Sequence, residues 1–330
     1  MHERTAKNIL VTGGSGFIGK AFCQSLDLNL FSLRVLQRSL TQSGKNCDRS
    51  PAEVVKGDLL NPESLVEACR NIEVVVHLAG IAHVANGKSD LAQTTIVEGT
   101  RNLINAAIRN KVKRLVYLSS SLAAAVDANS ADITAYGRHK KAAEDLLLAA
   151  SADGAIEVVI LRPVNVYGPG MKGNIATMIS LIQRQRLPPL PALRSRLSLV
   201  GVADVVQALN LVLESEQASG KIYTVTDGQE YQIQDIEAAI YAELGKTFPR
   251  WRTPRVVLFA AALAAGIVSA VTNNGAAIGP RTYRNITTDN VFDNAAICRD
   301  LGFKPGTNLF QELPQIIAKL SQLSQSSQPS

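Results

Sequence analysis

An α/β fold built on a doubly wound parallel sheet is predicted by three features of this 330-residue chain. Short apolar runs recur at 8–11, 33–36, 53–55, 73–78, 114–118 and 156–161. Helical patterns near 17–27, 62–71, 89–109 and 135–150 separate them, the alternation expected of parallel strands with crossover helices. The first run, Ile9-Leu10-Val11, passes directly into Thr12-Gly13-Gly14-Ser15-Gly16-Phe17-Ile18-Gly19. With 46% apolar and 19% charged residues, the chain can bury a substantial core.

The elements take their meaning in chain order. Glycines where a strand turns into a helix let a pyrophosphate reach backbone N–H groups at the helix N-terminus. Gly13, Ser15, Gly16, Phe17, Ile18 and Gly19 are therefore cofactor-binding candidates, and the sheet is expected to be of the Rossmann type. After the second strand stand Gln37 and Arg38, with no acid before Asp48. A carboxylate there would hold the adenosine ribose hydroxyls of NAD and repel a 2′-phosphate; Arg38 would pair with that phosphate. NADPH is the expected cofactor, with NAD as the alternative.

The fifth strand ends in Ser119-Ser120-Ser121, and a helix then carries Tyr136-Gly137-Arg138-His139-Lys140. Tyr136 and Lys140 are four apart and share a helix face. A free phenol titrates near about 10 and is a poor proton exchanger at neutral pH, whereas a nearby ammonium favours the phenolate. The tyrosine can then exchange a proton with a carbinol or carbonyl oxygen, and a strand-end serine can hydrogen-bond the same oxygen. His139 is expected to face solvent.

Beyond about residue 165 the alternation fades. Gly168-Pro169-Gly170 and Pro188-Pro189-Leu190-Pro191 punctuate a region with helical patterns near 174–185, 203–215, 233–244 and 256–271. The expected organisation is a dinucleotide-binding domain at 1–166, a smaller α/β C-terminal substrate lobe at 167–320 interleaved with it at the edges, and a frayed Ser/Gln-rich tail at 321–330.

The net charge of +6 suits an anionic small molecule. Long Lys/Arg tracts and interleaved aromatics are absent, so nucleic acid is not expected. From Val158 to Ala203 there is no Asp or Glu, yet Arg162, Lys172, Arg184, Arg186, Arg194 and Arg196 fall there, a balance that fits a lobe receiving a nucleotide diphosphate. Cys23, Cys47, Cys69 and Cys298 are scattered without a CxxC; buried thiols are expected, with no metal and no disulfide. MHERTAK has no apolar signal core, so a cytoplasmic location is expected. The apolar stretch 256–271, free of charge and preceded by Arg250, Arg252 and Arg255, is shorter than the roughly 20 predominantly apolar residues a membrane span needs. It reads as a buried or lobe-edge helix, with peripheral membrane contact as the competing reading.

Together these motifs resemble the extended short-chain dehydrogenases/reductases that act on nucleotide sugars. The resemblance runs nearly end to end, through the glycine loop, Gly57-Asp58-Leu59, His77-Leu78-Ala79-Gly80, the serine run, Tyr136 and Lys140 with Glu144, Arg162-Pro163-Val164-Asn165-Val166-Tyr167-Gly168-Pro169, and Asp293-Asn294 ahead of Leu301-Gly302-Phe303-Lys304-Pro305. It implies that Asp58 and Leu59 lie by the adenine, and that Leu78, Ala79, Gly80 and Pro163 line the cofactor. It makes Ser121 the catalytic serine, with Ser120 as fallback, beside Tyr136 and Lys140. The substrate candidates are His83, Ser121, Asn165, Asn174 and Arg196.

The stretches His77–His83, Leu161–Asn174 and Ser198–Val200 are similar to bacterial 4-reductases of UDP-4-keto-6-deoxy-N-acetylhexosamines, which serve surface polysaccharide synthesis. Two positions depart from the family pattern. Ile96 replaces a usual Asn, and Leu197 stands where an arginine usually precedes Asp204, with Arg196 its neighbour. Leu122 and Ala123 follow Ser121 where related dehydratases carry an acidic pair, which disfavours dehydration. The expected activity is NADPH-dependent 4-keto reduction of a UDP-sugar by a homodimer. The rivals are a UDP-hexose 4-epimerase with retained NAD and a non-catalytic dinucleotide sensor, which would have no need of Ser121, Tyr136 and Lys140.

Overall fold

A computed structural model of the chain describes residues 6–39, 52–80, 94–128, 133–272 and 280–326. The chain divides into two compact units. The first comprises 1–164, 202–225 and 294–304. The second comprises 165–201, 226–293 and 305–330. The first unit thus takes back two segments of the C-terminal half.

The first unit is built on strands β1 (Lys7–Thr12), β2 (Phe31–Gln37), β3 (Glu53–Lys56), β4 (Val74–His77), β5 (Arg114–Leu118), β6 (Glu157–Pro163) and β9 (Ile222–Val225). Their order is β3-β2-β1-β4-β5-β6-β9, and every neighbouring pair is parallel. Every residue of β4 and β5 is buried, as a sheet covered on both faces requires. The strand order reverses between β1 and β4, where Thr12 pairs with His77. In open α/β sheets the ligand crevice lies outside the carboxyl ends at such a switch point. This is the Rossmann-type sheet the sequence predicts.

Helices α1 (Phe17–Ser25), α2 (Pro62–Ala68), α3 (Gly99–Arg109), α4 (Ser121–Asp127) and α5 (Ala135–Ala152) fill the connections among the first six strands. A π-helical turn at Thr94–Glu98 precedes α3. The uninterrupted helix expected over 89–109 is therefore divided, with 89–93 outside the described residues. The wider turn sends Ile96 into the core while its carbonyl accepts the Thr100 hydroxyl at 2.6 Å. Helix α4 was not legible: Ser120 caps it by accepting from the Leu122 N–H at 3.2 Å.

The second unit holds a three-stranded sheet, β7 (Asn165–Tyr167), β8 (Arg196–Gly201) and β10 (Glu230–Gln232), in the order β10-β8-β7. Helix α7 (Val202–Glu214) and α11 (Ala295–Leu301) belong to the first unit. Helices α6 (Asn174–Gln183), α8 (Ile233–Glu243), α9 (Arg255–Thr272), α10 (Pro280–Thr287) and α12 (Leu309–Ser326) belong to the second. Helix α12 continues over 321–326, which the sequence reading assigned to a frayed tail. Its buried Leu309, Leu313, Ile316 and Ile317 recur at helical spacing and seat it. Tyr167 and Tyr231 both donate to the Asp227 carboxylate, at 3.0 and 2.5 Å. Cys23 and Cys69 are buried as expected, and Cys298 is half-buried; Cys47 lies outside the described residues. Among the described residues no helix is long and apolar enough to cross a membrane.

One buried ion pair fastens α5 to the sheet. Arg162 on β6 grips the fully buried Glu144 carboxylate with Nε at 2.9 Å and Nη2 at 2.5 Å, and Nη2 also reaches Asp127 at 2.7 Å. Removing Glu144 leaves the buried Arg162 with only the exposed Asp127 as partner, so Glu144→Leu is expected to cost about 2–3 kcal/mol. A urea titration reads this as a lowered midpoint with an unchanged slope; an unchanged midpoint contradicts it.

Candidate active site

The glycine loop closes over the switch point. Gly13 has φ +74°, and a Cβ there would lie 2.6 Å from the Ala79 nitrogen, so both the backbone conformation and the close approach of the β4 end require glycine. A Cβ at Gly19 would sit 2.1 Å from the Gly13 oxygen, which fixes how closely α1 packs on the loop. Helix α1 starts at Gly16 with no side-chain cap and no acid in its first turn. Its N-terminal N–H groups thus face a cradle stripped of side chains, a site that fits an anionic diphosphate. Ser15 and Gly16 are exposed there, and Phe17 and Ile18 are half-buried.

A chain of hydrogen bonds that sequence reasoning missed locks the two strand ends together. The Ala79 N–H donates to Thr12 Oγ1 at 3.4 Å, and Thr12 Oγ1 meets His77 Nδ1 at 2.7 Å. His77 Nε2 lies 3.1 Å from Thr100 Oγ1, whose proton goes to the Ile96 carbonyl. Thr100 must then accept from Nε2–H, and Thr12 must donate to Nδ1. Burial and the Lys140 charge push His77 down to about 3, so it stays neutral in that tautomer.

The candidate acid–base group is assembled from α4 and α5. Ser120 Oγ accepts from the Leu122 N–H in the α4 cap, and Ser121, the first residue of α4, is buried. Thr134 caps α5 by accepting from the Gly137 N–H at 2.8 Å. A Cβ at Gly137 would lie 2.4 Å from the Leu122 oxygen, so this glycine lets α5 lie against the start of α4. A glycine inside a helical pattern costs about 1 kcal/mol, and that cost was the legible signal of a packing demand. Lys140 is buried, donates to the Leu118 carbonyl at 2.8 Å, and places Nζ 4.5 Å from the Tyr117 ring centroid and 5.9 Å from that of Tyr136. Tyr117 in turn stacks on His77 at 5.3 Å. A Cβ at Gly80 would stand 3.4 Å from Lys140 Nζ, so that side of the ammonium is left open by glycine.

The electrostatics differ from the sequence expectation. Burial pushes the Tyr136 phenol up to about 12, and Lys140 does not offset it. Burial pulls Lys140 down to about 7 against the upward pull of Glu144. The site therefore holds a protonated phenol beside an ammonium that gives up its proton readily. The negative charge of a bound dinucleotide would favour the charged lysine. His139, expected to face solvent, is half-buried, and burial and Arg138 lower its pKa.

The remaining candidates lie as follows. Arg38 is exposed immediately after β2. Asp58 accepts from the Leu60 N–H at 2.9 Å, and Leu59 is buried beside it. Leu78 and Ala79 are half-buried at the end of β4, and Pro163 ends β6. Asn165 opens β7 and Asn174 opens α6 in the second unit, both exposed. Arg196 is held by Glu230 at 2.7 Å and Asp289 at 3.3 Å. Two cations of the acid-free stretch, Arg162 and Arg196, are thus neutralised by acids from elsewhere in the chain. His83 lies outside the described residues, and among those described no His/Cys/Asp/Glu cluster could hold a metal.

Lys140 also sets a pH dependence of stability. Its folded pKa, about 7, lies below the ordinary 10.5, so the unfolded chain binds the extra proton between these values. The cost of burying the ammonium is present in full below about 7 and is relieved as pH rises towards 10.5. Lys140→Met is therefore expected to gain most stability over the parent at about pH 6 and least at about pH 10 in thermal or urea unfolding. A difference independent of pH contradicts the shift.

Known proteins agree with this architecture. Residues 9–226 match the NAD dependent epimerase/dehydratase family. A UDP-glucose 4-epimerase from Vibrio cholerae is 30% identical over 267 residues, covering 76% of this chain and 80% of that protein. An N-acetyl-alpha-D-glucosaminyl-diphospho-ditrans,octacis-undecaprenol 4-epimerase from Escherichia coli is 22% identical and covers 94% of both chains. Among solved structures, a UDP-glucuronic acid 4-epimerase from Bacillus cereus, in complex with UDP-glucuronic acid and NAD, superposes with a TM-score of 0.75 at 21% identity, covering 96% of this chain and 99% of that one. The match over most of the first unit, on a sheet whose switch point carries the glycine cradle, establishes that the chain belongs to the NAD-dependent epimerase/dehydratase family.

Proposed function

We propose that the protein is an NADPH-dependent reductase of the C4 keto group of a UDP-4-keto-6-deoxy-N-acetylhexosamine, acting in the synthesis of surface polysaccharide (O-antigen) precursors. The observation that carries this reading is the state of Tyr136, a phenol pushed up to about 12 beside the buried Lys140. It starts as a proton donor, which is what reduction of a ketone asks of it. An epimerase must first remove a proton from a carbinol, so its bound NAD and a charged Lys140 would first have to draw that phenol down.

When bound, NADPH would supply the hydride that the carbonyl carbon receives. Ser121 hydrogen-bonds the carbonyl oxygen and Tyr136 gives its proton to that oxygen as negative charge develops. Lys140 stabilises the resulting phenolate and holds the nicotinamide ribose. The α1 N-terminus with Gly13, Ser15, Gly16, Phe17, Ile18 and Gly19 receives the diphosphate. Asp58 and Leu59 flank the adenine, Leu78, Ala79, Gly80 and Pro163 line the cofactor, and Arg38 pairs with the 2′-phosphate. His83, Asn165, Asn174 and Arg196 are the substrate-side candidates. The exposed Lys172, Arg184, Arg186 and Arg194 supply the field for the UDP diphosphate, a smaller set than the six cations of the sequence. The active form is a homodimer in this reading.

The second reading is a 4-epimerase with retained NAD, favoured by the names of the Vibrio cholerae and Escherichia coli relatives. NADPH and NADH oxidation assays against nucleotide 4-keto sugars separate the two. The expected result is NADPH consumption with the UDP-4-keto-6-deoxy-N-acetylhexosamine. Tyr136→Phe should lower turnover by roughly 10²–10⁴-fold while leaving NADPH binding intact. Arg38→Ala should weaken NADPH binding by about tenfold or more and leave NADH unchanged. Tightly retained NAD with interconversion of UDP-hexoses and no NADPH consumption would sink the reductase assignment.

A further inference from the structure

Helix α9 is apolar on the side where a helix at the edge of a folded unit is ordinarily polar. Leu258 and Ala262, one turn apart, are buried and seat the helix. Val256 is 77% exposed, and Val257, Phe259 and Leu263 are exposed with it. The exposed positions between and after them, 260, 261 and 264, are alanines. Just before the helix, Trp251 is 60% exposed and is the only tryptophan of the chain. Nothing in the proposed reaction uses this face.

Its charge is equally one-sided. From Leu244 to Thr288 the chain has no Asp or Glu, but it has Lys246, Arg250, Arg252, Arg255, Arg281 and Arg284. Arg252 is neutralised by the buried Glu237 at 2.6 Å. Lys246 and the exposed Arg255 donate to backbone carbonyls, which leaves their charge in place, and Arg250 is exposed. A second copy of the chain would bring this cation-rich stretch against itself. The complementary surface is anionic and accepts apolar side chains beneath its charge. The apolar run 256–271 is too short to span a bilayer, for which about 20 residues are needed, but long enough to lie along one. Tryptophan and arginine at its entry are the residue types that sit at headgroup level.

We propose that α9, entered through Trp251 and its flanking arginines, docks the protein on an anionic lipid surface with the helix lying in the plane of the headgroups. This goes beyond the reading of the reaction and does not depend on it. The whole chain is mixed with vesicles of phosphatidylglycerol and phosphatidylcholine, or of phosphatidylcholine alone. Co-sedimentation and a blue shift of Trp251 fluorescence are expected with the phosphatidylglycerol vesicles, and both should be reversed by high salt. Arg250→Ala should weaken partition about fivefold, the worth of one cation near such a surface. The double variant V256E/V257E, placed at exposed positions, should abolish binding with its far-ultraviolet circular dichroism unchanged. Failure to bind phosphatidylglycerol vesicles overturns the proposal, as does equal binding to phosphatidylcholine alone. A concentration-dependent doubling of mass broken by V256E/V257E, without vesicle binding, would give the face to a second copy instead.

Discussion

The hydrogen bond from Lys140 to the Leu118 carbonyl is the contact on which the candidate site depends. It ties the middle of α5 to the carboxyl end of β5 and holds an ammonium where water is scarce. Each neighbour is arranged around it. Tyr117 offers a ring face below the charge, Gly80 leaves one side clear, and Glu144, one turn further along α5, favours the charged form. Glu144 is itself fixed by Arg162 from β6, so the lysine is positioned by two strands and a helix at once.

The same burial sets the resting state of the candidate site. A tyrosine and a lysine four apart on an exposed helix would make a modest surface pair. Here desolvation raises one and lowers the other, so the resting site is a protonated phenol next to a lysine poised near neutrality. A lysine so placed responds strongly to the negative charge of a dinucleotide. On this view the cofactor completes the electrostatics of the site as well as supplying the reacting group. The neutral His77, pinned between Thr12 and Thr100, adds no competing charge and holds the β1 and β4 ends in register beneath the glycine cradle.

Most of the sheet was legible because parallel strands buried on both faces are nearly continuous apolar runs, as in Val74–His77 and Arg114–Leu118. The glycine loop was legible because backbone approach leaves no other residue type available at Gly13 and Gly19. What stayed hidden was three-dimensional. Helix α4 depends on Ser120 turning back to cap it, which a run of three serines does not announce. The Thr12–His77–Thr100 chain joins residues far apart in sequence, and the π-helical turn depends on where the core receives Ile96. The phenolate expected from the Tyr136–Lys140 spacing failed because spacing reports proximity, whereas burial decides the sign of the shift. The field expected from six cations was reduced because Glu144, Asp127, Glu230 and Asp289, all outside the acid-free stretch, reach into it.

The protonation state of Tyr136 is open to direct measurement. The chain has seven tyrosines, so the ultraviolet absorbance of phenolate is titrated in the cofactor-free protein and in Tyr136→Phe, and the difference isolates one ring. A site in which burial outweighs the lysine predicts no phenolate difference at neutral pH and a midpoint of about 12. A difference midpoint at or below the ordinary phenol value of about 10 would contradict it and restore the lysine as the dominant influence on the resting tyrosine.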